Sequence, residues 1–259
     1  MKFFLPVWTL WKREIVRFLR QRSRVVSVLT QPLVFWILLG AGLHGSFRPP
    51  GAAQSATYLQ YLYPGIIALV LLFTAIFATI SIVEDRREGF LQGVLVAPVP
   101  RSLIVLGQAL GGASLALIQG AIFLLPAPLI GIPLGPITVL ATLGAMLLVA
   151  FQMTGLGLII AWRMESTQGF HAIMNLILMP LWLLSGALFP SAGAFSWLSW
   201  VMIVNPVTYA MVVLRHCLYL DTPGAVADLP PLAPALMLTV LFCIATLGAA
   251  TFTAHRSRN

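Results

Sequence analysis

The stretch EDRREGFLQGVLVAPVPR, residues 84–101, decides how this chain folds, because it breaks apolar sequence on both sides. IIALVLLFTAIFATISIV (66–83) runs directly into it, and SLIVLGQALGGASLALIQGAIFLL (102–125) runs directly out. Glu84, Asp85, Arg86, Arg87 and Glu88 cannot remain in hydrocarbon, so they end the first run. Gly89 then permits a sharp change of direction. Phe90, Leu91, Val94 and Leu95 fall on one face of a short helix, which Pro98 and Pro100 stop before Arg101 restarts the chain at the membrane surface. Nothing in the sequence marks a segment of the same chain to cover that apolar face. The face is therefore expected to lie on the bilayer or in a groove of another protein; the plainer reading is a charged turn.

Composition supports the membrane setting. Of 259 residues, 59% are hydrophobic and 8% charged, against about 25% charged in a soluble domain. No mixed-composition stretch is long enough for a separate soluble domain, so residues 1–259 read as one all-α membrane domain. The net charge of +8 does not point to nucleic acid, because the basic residues gather at the ends of apolar runs. Cys217 and Cys243 carry no CxxC or Cys/His metal spacing and read as two buried or interfacial thiols. The first apolar run begins near Val25 after a long basic stretch, which is unlike a cleaved signal peptide.

A membrane helix needs roughly 20 mostly apolar residues. Six runs qualify, at about 25–43, 58–83, 102–129, 137–161, 170–189 and 233–254. Pro32 and Pro64 lie early in the first two, and Pro126, Pro128 and GIPLGP mark a tight turn after the third. Residues 190–231 pose the alternative of a seventh span. Asn205-Pro206 breaks that region, and Arg215 would lie in lipid at a cost of at least about 2.5 kcal/mol. A re-entrant segment, with Trp197 and Trp200 at headgroup level, fits better, provided protein covers its backbone polar groups. Six spans with both termini cytoplasmic leave only Arg48 and Arg215 of the 15 Lys and Arg outside. This is a strong positive-inside distribution.

Residues 1–24 read as an amphipathic interfacial helix. Trp8, Trp11, Ile15, Phe18 and Leu19 form one stripe, with Arg13, Arg17 and Arg20 opposite and able to reach anionic headgroups of membrane lipid. Two readings stand: a topology anchor, or a lever that links span one to a cytoplasmic partner. In the acidic run, Glu84 and Arg87 are three apart and can pair, whereas Glu84 and Glu88 repel at i,i+4. Two neighbouring acids imply a cation between them, from Arg87 or from a partner; otherwise the run is simply solvated.

Residues 84–101 resemble the signature of ABC type-2 permeases, the transmembrane subunits of ATP-binding-cassette exporters. That signature runs acidic/Arg, Glu-Gly, Leu, a short apolar run, Ser/Ala-Pro-Val/Ile and Arg. The family often has Glu at the place of Gln92 and Ser at the place of Ala97, differences that bear on which ATPase pairs with the chain. NPVTYAMVVLRHCLYL resembles the family's external Asn-Pro-x-x-Tyr-x-x-x-x-x-Arg motif, placing Asn205, Pro206, Tyr209 and Arg215 in it. The resemblance covers essentially the whole chain. It implies a coupling helix seated in an ATPase groove through Glu84, Arg87, Glu88, Gly89, Leu91, Leu95, Pro98 and Arg101. It further implies a homodimer of permeases with two cytoplasmic ABC ATPase subunits, which carry ATP and Mg, in the inner (cytoplasmic) membrane. Transport by alternating access would run along the dimer interface between spans two and five, where Phe73, Phe77, Asn175, Met179 and Trp182 are candidates. An apolar aromatic lining suits an amphipathic, lipid-like or drug-like substrate, or a lipid-linked glycan.

The sequence holds no GxxxxGK[ST] loop; its lysines are Lys2 and Lys12, and neither follows a glycine. HExxH, a nucleophile elbow and a carboxylate cluster within the spans are also missing, so no catalytic or metal site is expected. Gln108, Ser114, Gln119, Gln152, His171 and Asn175 stand out among the few polar residues of the spans; His171 reads as structural and the others as helix–helix hydrogen bonders. Gly107, Gly111, Gly112, Gly155 and Gly157 read as points of close helix approach. The competing classes are an ion-coupled transporter or channel, which usually shows ionisable groups deep in its spans, and a scaffold that recruits a cytoplasmic protein without transport.

Overall fold

The computed structural model describes residues 4–42, 57–96, 99–190 and 195–256. Arg48, Pro98 and the end of the first expected span at residue 43 lie outside the described residues. So does the side chain of Leu95, although its backbone is helical. Among the described residues every regular element is a helix.

The run 66–83 is apolar all round, which marks a helix buried on every side rather than one with a lipid face. It forms α3 (Tyr58–Ala78) and α4 (Ile80–Arg87), joined through Thr79 into one apolar rod. Every residue from Leu62 to Ile76 is buried. Thr57 and Gln60 start α3 with a reciprocal capping box, and Gln60 Nε2 also donates to the Ile130 carbonyl at 2.7 Å. The other helices are α1 (Phe4–Arg20), α2 (Arg22–Gly42), α5 (Phe90–Val96), α6 (Arg101–Leu124), α7 (Pro136–Ala161), α8 (Thr167–Trp182), α9 (Ser196–Val204), α10 (Pro206–Leu218) and α11 (Leu232–Arg256), of which α2, α5, α6, α7, α8 and α10 pack directly against the rod.

Close approach to the rod depends on small residues. A Cβ at Gly112 would meet Thr154 at 2.7 Å, and one at Gly157 would meet Thr79 at 2.8 Å. Those contacts bring α6 against α7 and α7 against the α3–α4 junction, as van der Waals packing in a membrane requires.

Among the described residues five helices are long and apolar enough to cross a membrane: Tyr58–Arg87, Arg101–Leu124, Pro136–Ala161, Thr167–Ala187 and Leu232–Arg256. They match five of the six expected spans with shifts of a few residues. The expected first span is the helix α2, whose apolar portion Thr30–Gly42 is shorter than a full span. α9 and α10 are bent 80° apart at Asn205; counted as one span they would bring the count to six. The chain is thus an all-helical, multi-span membrane protein. The turn after α6 is a 3-10 segment, Ala127–Ile130, closed by Gly131 with φ of 81°.

Candidate functional site

At one end of the bundle, α1, α4, α5 and α6 meet in a charged joint. α1 lies along α6 because Gly107 and Gly111 leave a groove there. A Cβ at Gly107 would fall 2.9 Å from Leu10, and one at Gly111 would fall 2.7 Å from Glu14. Trp11 Nε1 donates to Ser114 Oγ at 3.0 Å along the same seam. The expected apolar stripe of α1 therefore divides: Phe18 is buried and Trp11 partly buried, whereas Trp8 and Leu19 stay exposed beside Phe4 and Leu5.

The arginines of α1 do not face outward together. Arg13 grips Asp85 with both terminal nitrogens, Nη1 at 2.6 Å from Oδ2. Arg17 Nη1 reaches Asp85 Oδ1 at 2.6 Å, and Arg17 Nη2 reaches Glu84 Oε2 at 2.8 Å. Glu88 stands 3.9 Å from Arg17, and the Arg13 guanidinium lies 3.9 Å above the Phe90 ring. Asp85 is 1% exposed. Its hydrogen bonds are the foremost cause raising the Arg13 pKa above its ordinary value. The cation between the acids is thus Arg17, with Arg13 beside it, while Arg87 is exposed. Only Arg20 of the three keeps an exposed position suited to headgroups.

Two further arginines tie helix ends at this joint. Arg86 donates to the carbonyls of Trp162 at 2.7 Å and Met164 at 2.9 Å, just past the C-terminus of α7. Arg101 donates to the Ala254 carbonyl in the last turn of α11. Each places positive charge where a helix dipole is negative.

Gly89 turns the chain between α4 and α5 with φ of 77°. α5 then presents a face different from the one expected. Leu91 is 4% exposed and packs in the main core, with Val94 against it. The expectation of a wholly uncovered face is thus corrected at Leu91, which this chain buries, while Val94 is half-buried and Phe90 stays 43% exposed. Among its described side chains, α5 turns Phe90, Gln92 and Val96 outward, with Gly93 between and Arg87 and Glu88 just before it. An apolar groove remains between α1 and α5, lined by Leu5, Leu10, Phe90, Val94 and Ile104.

The second motif builds the break between α9 and α10. Asn205 Oδ1 accepts from the Val207 amide at 2.9 Å, an N-cap with Pro206 at the first helical position. Its Nδ2 donates to the Leu181 carbonyl at 2.6 Å, and Tyr209 Oη donates to Ile203 at 2.8 Å, pinning α9 to α10. Arg215 is 8% exposed, donates to the Gly186 carbonyl at 2.8 Å and lies 4.1 Å over the Tyr61 ring. Gly186 has φ of 81° in the π-helical turn that ends α8, so the carbonyls freed by that turn receive the guanidinium. Arg215 is thereby buried in protein and kept from lipid.

The pathway candidates separate. Trp182 is fully buried and donates from Nε1 to the Gly65 carbonyl at 2.8 Å, which leaves it no surface to offer in this conformation. Phe73 is buried, its ring 5.4 Å from Phe77, which in turn lies 5.2 Å from the His171 ring of α8. Phe77 and Met179 are partly buried and Asn175 is exposed. Sequence reasoning missed Arg13, Arg17, Asp85 and Glu14 as one cluster. Its available signal was the i,i+4 pair Arg13/Arg17 in a chain whose seven acids include four in Glu14, Glu84, Asp85 and Glu88.

Residues 6–219 match the family described as ABC-2 type transporter. The chain is 28% identical over 216 residues to the putative transport permease ycf38 of Cyanophora paradoxa, covering 82% of this chain and 74% of that protein. It is 26% identical over 219 residues to nodulation protein J of Sinorhizobium fredii, covering 83% and 81%. Similarity to the probable multidrug ABC transporter permease YbhR of Escherichia coli (strain K12) is 25% over 206 residues, covering 78% of this chain and 53% of that one.

Proposed function

The chain belongs to the ABC-2 type transporter family, whose permeases work with an ABC ATPase, and from that premise we propose that it is the membrane half of an ATP-driven exporter. Two copies pair as a homodimer in the inner membrane, both termini cytoplasmic, with two cytoplasmic ATPase subunits that bind ATP and Mg. The observation that carries this reading is the joint. The segment between the second and third expected spans is fixed to the central rod, to α1 and, through Arg86 and Arg101, to the ends of α7 and α11. A push on α5 therefore reaches several helices at once, which is what an energy-transmitting contact must do.

The ATPase contact is the outward side of that joint, Arg87, Glu88, Gln92 and Val96, with Leu91 supporting it from behind. Closure of the ATPase pair carries the joint, and the two permeases rock between inward and outward openings. The pathway runs beside α3 and α8, with Phe77, Asn175 and Met179 toward the substrate and Phe73 and Trp182 as the packing behind them. An aromatic and mildly polar lining suits an amphipathic lipid-like or drug-like molecule, and the similarity to a probable multidrug permease supports that class.

The test is purification of the permease with its ATPase from native membranes, reconstitution into liposomes, and measurement of ATP-dependent efflux of a fluorescent phospholipid and an amphipathic dye. Flux driven by an ion gradient without ATP would overturn the exporter reading. A stably bound ATPase with no flux of any probe would leave a scaffold.

A further inference from the structure

The ion cluster at the joint balances without Glu14. Arg13 and Arg17 supply two positive charges, and Asp85 and Glu84 supply two negative charges within hydrogen-bond distance. Glu14 is a further acid on the same helix, 5% exposed, wedged where a Cβ on Gly111 would sit 2.7 Å from its own Cβ. Its Oε1 has no hydrogen-bond partner. The nearest cation, Arg13 Nη1, stands 3.6 Å away and is already committed to Asp85. A buried carboxylate with an orphan oxygen and no spare counter-charge is costly, whereas a neutral carboxylic acid fits.

We infer that Glu14 is a proton-binding site that latches α1 onto the joint. Seated between α1, α4 and α6, the side chain is held as the neutral acid. When α1 lifts away the carboxyl meets water, ionises and passes its proton to solvent; reseating takes one proton back.

The surroundings are consistent from every side. On α1 the charged neighbours are Arg13 and Arg17; on α4 it is Asp85, beside the neutral Ser81 hydroxyl, which donates a hydrogen bond to the carboxyl. α6 presents Gly107, Gly111 and Ser114, which do not titrate, while its Arg101 is turned to the end of α11. The described side chains of α2 include no charged group. Burial is the largest effect and pushes the Glu14 pKa from its ordinary 4.5 up to about 7, against the pull of Ser81 and Arg13. The seated state therefore binds the extra proton. Its advantage is complete below 4.5, falls about tenfold per pH unit as pH rises toward about 7, and is flat above. Only the consequence, that an acid cytoplasm holds the transporter in the seated state, rests on the reading of the joint as the transmission element.

The experiment uses the permease alone in nanodiscs, so its outcome is separate from that of any transport assay. Spin labels at Lys12→Cys and Gln92→Cys report the distance between α1 and α5 from pH 5 to 8, and infrared difference spectra report the carboxylic-acid carbonyl band. We expect the seated distance to gain population as pH falls, together with a carboxylic-acid carbonyl band that grows as pH falls and is lost as pH rises through about 7. Glu14→Gln, neutral and nearly the same shape, should stay seated at every pH and lack that band. A band that survives Glu14→Gln, a Glu14→Gln protein with the wild-type pH response, or a wild-type distance that ignores pH would each overturn the inference.

Discussion

Asp85→Asn is the sharpest probe of the joint. Asp85 is 1% exposed and accepts two bonds from Arg13 and one from Arg17. Hydrogen bonds to charged groups are worth about 1.5–3 kcal/mol each, so three would sum to roughly 5–9 kcal/mol. That sum is too large here. Asparagine retains an acceptor oxygen, Arg17 keeps Glu84, and the two arginine side chains are 27% and 20% exposed, so water compensates part of the loss. About 3 kcal/mol remains for removing the charge, or roughly 150-fold in the ratio of seated to lifted α1. Amide hydrogen exchange measures this directly. The α1 amides should exchange roughly 150-fold faster in Asp85→Asn, while those of α3 and α7 are unchanged, because local opening and not global unfolding is the cheaper route. Gly111→Leu should give the same α1 signature with every charge intact, since its side chain would occupy the space of Glu14. Wild-type α1 protection in Asp85→Asn would refute the reasoning, and so would a uniform loss across all helices.

The two faces of α5 should separate in mutation. Leu91→Asp puts a charge in the core and should lower the yield of folded permease in gel filtration, whereas Val96→Asp, at a position 86% exposed, should leave folding intact and abolish co-purification of the ATPase. Arg215→Lys cannot keep the planar fork that lies over Tyr61 while meeting the Gly186 carbonyl. A loss of about 1–2 kcal/mol is expected, or about 2–4 °C in Tm per kcal/mol, readable in a thermal unfolding scan. For topology, cysteines at Leu129 and Ala225 should react with an impermeant maleimide from outside and those at Gln92 and Glu165 only after permeabilisation; external labelling at Glu165 would reverse the orientation.

The spans were legible because length and apolarity alone specify them, and the five long helices begin and end within a few residues of the expected runs. The break at Asn205-Pro206 was legible for a local reason: Asn is a strong N-cap and Pro suits the first helical turn. The burial of Leu91 was not. Leu91 reads as exposed when residues 84–101 are considered alone, and only the tertiary groove made by Gly107 and Gly111 brings α1 over the joint. The ion cluster was hidden for a similar reason. Glu84 and Arg87 satisfy the helix pairing rule, but Arg17, 67 residues away in sequence, reaches Glu84 instead. The local pair would have gained only a few tenths of a kcal/mol on an exposed surface.

The same structure explains why so few charges suffice. Charge is expensive in this chain, and Arg86, Arg101, Asp221 and Arg215 sit where a helix end needs it. Arg86 and Arg101 meet the C-terminal carbonyls of α7 and α11. At the other end of α7, Asp221 accepts from the Gly135 amide at 3.0 Å and from Thr138 Oγ1 at 2.7 Å, capping the N-terminus from a distant loop. Arg215 serves the carbonyls of the turn that ends α8. Each contact joins elements distant in sequence and each ends on backbone or at a helix start, so the helices are tied at their tips and packed by small residues along their lengths. Tips so fixed move with the helices they cap. On the proposed coupling role, a displacement applied at α5 would be carried by Arg86 to α7 and by Arg101 from α6 to α11, while the Arg13 and Arg17 grip would decide whether α1 travels with them or stays behind.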